Sequence, residues 1–211
     1  MKKNLLIALG LGLATIAPSA FGSVIAPGAT APPDILTVGA GSTLVTPTVS
    51  GVISPGTFTA NYTESVYSDP SNTFCAGCLD FVYTVNNTGG SGVIERVTGF
   101  SYDTVVMTDV GYETGTGSNA PSTVDRSANG NVVGFNFLGT AEINPGQTSD
   151  TLVIETNARS WTTGLVSIQD GSAGTSNGLA PSSVPEPVSM GMLGGGLALL
   201  GIARWRRATR A

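Results

Sequence analysis

The chain has no histidine. That absence excludes Ser-His-Asp and Cys-His nucleophilic catalysis, histidine-ligated zinc and imidazole general bases. Lysine is confined to Lys2 and Lys3, and cysteine to Cys75 and Cys78. Between residues 23 and 183 there are 13 acidic residues and three basic ones (Arg96, Arg126, Arg159), a net charge near −10. Such a surface repels phosphate backbones, which argues against a nucleic-acid partner. The acidity is read first as solubility outside the cell. A divalent-cation loop of the Asp-x-Asp-x-Asp-Gly kind is missing. Long apolar runs are missing from the interior and occur only at the two ends.

The N-terminal run has the order of a secretory signal. Met1-Lys2-Lys3-Asn4 is basic, and residues 5–17 form an apolar core of suitable length. Ala20 and Gly22 supply small residues at −3 and −1, so cleavage is expected between Gly22 and Ser23, giving a signal peptide over 1–22. Cleavage after Ala20 would place Pro18 at −3.

At the other end, Val184-Pro185-Glu186-Pro187 is followed by 16 uncharged residues, 188–203, and then by Arg204-Trp205-Arg206-Arg207. The two prolines stop any helix arriving from upstream and hold an extended segment carrying one carboxylate. Residues 188–203 span about 24 Å as a helix, short of the roughly 30 Å hydrocarbon core, and snorkelling arginines with interfacial Trp205 extend the reach. A single transmembrane helix over 188–203 with a basic tail over 204–211 is expected. The lysines at one end and the arginines at the other both stay in the cytoplasm under the positive-inside rule.

Val184-Pro185-Glu186-Pro187, the short Gly/Leu-rich span and the closing arginines resemble the PEP-CTERM sorting signal of Gram-negative bacteria, also known as an ice-binding protein C-terminal domain. The resemblance covers about 25 of the 211 residues. It implies export across the inner membrane, transient anchoring by the tail, and recognition of Pro185-Glu186-Pro187 by exosortase, a membrane cysteine protease. Arg204, Arg206 and Arg207 would be the retention signal. The implied destination is the cell surface or the extracellular matrix, in a setting of exopolysaccharide and biofilm. The resemblance assigns no activity to the domain upstream.

That domain reads as mostly β. Residues 23–35, rich in Ala, Pro and Gly, are expected to be a flexible leader. In residues 36–170 about eight short β-favouring runs are separated by turn residues, with no helical stripe, which predicts a single antiparallel β-sandwich. Phe58, Ala60 and Tyr62 alternate with polar residues, as do Leu79, Phe81, Tyr83 and Val85. Pro47 predicts an edge strand or two short ones. Asn129-Gly130 predicts a hairpin turn before a strand carrying Phe135 and Phe137 on one face. Residues 171–183, rich in Gly and Ser, are expected to be a spacer before the tail.

Cys75-Ala76-Gly77-Cys78 is the one compact constellation. In an oxidising compartment a local disulfide is expected. A thioredoxin-like site would want this motif at a helix N-terminus, haem attachment would want histidine at 79, and zinc would want two further soft ligands. No cofactor, metal site or catalytic residue is expected. The leading reading is a structural or interaction module, with exosortase, the export machinery, the inner membrane and extracellular polysaccharide as partners. A carbohydrate- or ice-binding module is the alternative. A hydrolase built on Asp103, Asp109 or Glu113 stands third, and requires two carboxylates about 5–9.5 Å apart in a cleft.

Overall fold

A computed structural model describes residues 23–103 and 107–182. The expected signal peptide, the sorting motif Val184–Pro187, the transmembrane helix and the arginine cluster lie outside the described residues. Among the described residues no helix is long and apolar enough to cross a membrane.

The chain is mostly β. Its strands are β1 (Thr30–Ala31), β2 (Asp34–Ile35), β3 (Thr43–Leu44), β4 (Val49–Ile53), β5 (Phe58–Asp69), β6 (Cys78–Gly90), β7 (Arg96–Phe100), β8 (Thr108–Glu113), β9 (Thr123–Arg126), β10 (Val132–Asn136), β11 (Thr151–Thr156), β12 (Trp161–Asp170) and β13 (Ser172–Pro181). One sheet has the order β1-β9-β10-β7-β12-β13. The other has the order β2-β8-β11-β6-β5-β3, and β4 also pairs with β5. Pro47 thus separates two short strands that share one neighbour. The hairpin at Asn129-Gly130 forms between β9 and β10, with Gly130 at φ 76°, a region glycine enters without steric cost.

The two sheets enclose a common core. Period-2 alternation sends Phe58, Ala60, Tyr62 and Val66 of β5, and Phe81, Tyr83 and Val85 of β6, inward against Val124, Val133, Phe135, Val166 and Ile168 of the opposite sheet. Phe81 meets Tyr102 edge-on at 5.5 Å between ring centroids, and Tyr83 meets Phe135 at 6.3 Å. The Tyr62 hydroxyl donates to the Asn177 carbonyl at 2.6 Å and so ties β5 to β13 across the layers. This two-sheet arrangement fits the expected sandwich.

Three expectations are corrected. The sheets are not wholly antiparallel, because β2 runs parallel to β8 at the edge of the second sheet. Residues 23–35 are not a loose leader. They supply β1 and β2, one to each sheet, and Ile25 is buried in the core.

Residues 171–183 are not a spacer either, since β13 occupies Ser172–Pro181 and pairs with β12 along its whole length. The small residues there provide clearance. A Cβ on Gly174 would stand 2.4 Å from Ile53 Cγ2, and one on Gly178 would stand 2.7 Å from Glu64 Oε2. Composition alone reads such residues as flexible, because it does not register what lies above them.

Candidate binding cleft

The Cys75–Cys78 turn builds one wall of a cleft. The two cysteines are disulfide-bonded, with Cα atoms 5.3 Å apart. The turn is held by Asn72, whose side-chain oxygen accepts from the Phe74 amide at 2.9 Å and the Cys75 amide at 3.3 Å. The Gly77 amide donates to the Asp69 carbonyl at 2.7 Å, and Ser68 Oγ donates to the Gly77 carbonyl at 3.1 Å. Removing both sulfurs, as Cys75→Ser/Cys78→Ser, should cost only about 1–2 kcal/mol in urea unfolding, because the loop is so short. A loss comparable with the total stability would contradict that modest role.

The cleft, about 320 Å³, is lined by Val45, Ser68, Gly77, Leu79, Arg159, Ser160 and Trp161. Trp161 opens β12 and pairs with Pro181 at the end of β13. Ser160 and Ser182 clamp this junction through a 2.6 Å hydroxyl contact and a 2.9 Å bond from the Ser182 amide to the Ser160 carbonyl. Trp161 nevertheless stays 38% exposed, a large aromatic surface left in solvent beside the cleft. The Arg159 side chain makes no ion pair among the described residues, in contrast to Arg96.

A second depression of about 220 Å³ lies on the six-stranded sheet, lined by Glu95, Arg96, Asn136, Leu138, Gln169 and residues of the β12–β13 turn. Arg96 is committed there. It binds Asp125 through two nitrogens, one at 2.7 Å, and also reaches Asn136. Gly134 makes room for it, since a Cβ would stand 2.4 Å from the guanidinium. Burial raises the Asp125 carboxyl, but hydrogen bonds from Arg96 and Asn136 outweigh it and hold the group below its ordinary value. An arginine neutralised in this way has fewer donors to offer a ligand.

The acids proposed for hydrolysis are not brought together. Asp109 is fully buried on β8, and Glu113 lies four residues further along the same strand, about 13 Å at the usual rise. Neither lines either depression, nor does Asp103. Asp109 instead joins a row across three strands, because Glu155 on β11 is directly paired with Asp109 on one side and Asp80 on the other. Burial first, then the neighbouring carboxylates, push Asp80 up to about 8 and Asp109 to about 7. Among the described residues no three such side chains converge to hold a metal ion.

Sequence reasoning also missed Glu64. It is fully buried between the sheets, and its Oε2 accepts from the Leu179 amide at 2.8 Å, while Oε1 has no partner. Tyr83 and Tyr102, linked hydroxyl to hydroxyl at 2.8 Å, complete the polar island. The signal for Glu64 was present in the alternation, because it occupies the inward slot between Tyr62 and Val66.

Compared with family models, curated proteins and solved structures, the chain matches none.

Proposed function

We propose that this is an exported, non-catalytic interaction protein of the cell surface or extracellular matrix, sorted by an exosortase through Val184–Pro187. Its β domain would hold polysaccharide in the cleft beside Trp161. The observation that carries the binding role is a half-exposed tryptophan beside two serine hydroxyls and Arg159, which forms no ion pair among the described residues, with Trp161 and Ser68 held on paired strands and the disulfide turn forming the wall. A flat indole face stacks on the apolar face of a sugar ring, and the guanidinium and hydroxyls hydrogen-bond its oxygens. A rigid frame reduces the ordering cost of binding. The strong negative charge of the domain favours a neutral polymer over an anionic one.

The test is retention of the exported protein on its host's purified polysaccharide, with affinity from depletion isotherms. Trp161→Ala should weaken retention by about tenfold or more, equivalent to roughly 1.4 kcal/mol, with melting temperature little changed. Retention unaffected by Trp161→Ala, or absent in the unaltered protein, refutes the polysaccharide role.

A further inference from the structure

The Ser23 backbone nitrogen donates to Asp34 Oδ2 at 2.9 Å. In the uncleaved chain that nitrogen is a neutral amide. Asp34 in turn faces Asp109, an acid with no exposed surface whose two carboxylate oxygens both lack a hydrogen-bond partner. Glu155 faces Asp109 from β11 on the other side. Val24 forms a bridge with Asp109, and the Ile25 amide bonds the Thr108 carbonyl at 2.9 Å, so the start of the domain is stitched directly onto β8. Among the described residues no arginine forms a salt bridge with Asp34, Asp109 or Glu155. Three carboxyls therefore lie together with no compensating positive side chain among the described residues. Buried acids in that condition are costly unless a cation or a proton reaches them.

We propose that removal of the signal peptide supplies the missing cation: the new α-ammonium of Ser23 forms a salt bridge with Asp34 and lowers the electrostatic cost of Asp109 behind it. This rests on the export reading, in which the Gly22–Ser23 bond is cut. Hydrolysis breaks the C–N bond and consumes one water. Gly22 keeps the added oxygen as a carboxylate, and Ser23 Nα ends as an ammonium, with no net proton released. The nitrogen is already in place at hydrogen-bond distance, so no rearrangement is needed. A charged donor makes a bond roughly twice as strong as the neutral amide it replaces. Processing thus becomes a stabilising step, and the domain reaches its full stability only on the far side of the membrane.

The composition provides a clean test. The only lysines are Lys2 and Lys3, so a chain that begins at Ser23 has its α-amine as its sole aliphatic amine. The protein is recovered after export from its host, its N-terminus is read by intact mass, and the amine is acetylated with an N-hydroxysuccinimide ester. Acetylation restores a neutral amide N–H at the same atom, as in the precursor. The melting temperature at pH 7 should fall by about 3 °C. The unmodified protein should also lose that increment as pH is raised through the α-amine range, whereas the acetylated one should not. In Asp34→Asn the acetylation penalty should vanish. A Ser23 N-terminus with no acetylation effect, or the same effect in Asp34→Asn, overturns the salt bridge and leaves the export reading intact. A mature N-terminus elsewhere overturns both the cleavage position and the salt bridge.

Discussion

Stability should fall as pH rises from 4.5 to 7, and Glu64→Gln should remove much of that fall. Glu64 sits at an inward position of β5 with no exposed surface. Burial pushes its carboxyl up to about 7 from an ordinary 4.5, against the smaller opposing effects of the Leu179 amide and Tyr83. The folded state therefore holds this proton in a window where the unfolded chain has released it. The stabilisation is complete below pH 4.5 and is lost as pH rises through 7. A shift of this size corresponds to about 3 kcal/mol. Asp80 and Asp109 are raised as well and act with the same sign. Glutamine keeps an acceptor for the Leu179 amide and offers Tyr83 a donor, so Glu64→Gln should be the more stable protein at pH 8. Urea unfolding at pH 5 and pH 8 measures both effects. Equal stabilities at the two pH values, or a Glu64→Gln protein that is weaker at pH 8, would show that the carboxyl is not held in the core as described.

Ending the exported chain at Asp170 should leave it unfolded, while ending it after Ser182 should leave stability unchanged. The first cut removes β13 and its pairing with β12. It exposes the core that Leu179 and Ala180 cover, takes the Leu179 amide from Glu64, and removes the Asn177 carbonyl from Tyr62. Together these losses approach the whole stability of a domain, about 5–15 kcal/mol. Circular dichroism and limited proteolysis of the two truncated proteins distinguish the outcomes. A folded protein ending at Asp170 would return residues 171–183 to the role of a spacer.

What the sequence by itself determined is the class of the fold and the position of its inner faces. Alternation with period 2 placed Phe58, Ala60, Tyr62, Leu79, Phe81, Tyr83, Val85, Phe135 and Phe137 inside, because a strand's side chains must alternate and apolar ones gain by leaving water. Pro47, Asn129-Gly130 and the paired cysteines were legible for the same local reason, since backbone stereochemistry and short-range bonding are written in a few adjacent residues.

Only the tertiary structure decided the rest. The Ala/Pro/Gly segment 23–35 and the Gly/Ser segment 172–181 carry little hydrophobic pattern, yet the first supplies the short strands β1 and β2 and the second is β13. One completes the edges of both sheets and the other closes the six-stranded sheet. Small residues mark where they pack: Gly111 of β8 leaves room for the backbone oxygen of Asp34 on β2, and Gly178 of β13 for the carboxyl of Glu64 on β5. The cleft beside Trp161 joins residues from positions 45 to 161. The acid row joins positions 80, 109 and 155. Such neighbours are set by strand order and register, which depend on how every edge finds a partner at once, and no local stretch of sequence contains that information.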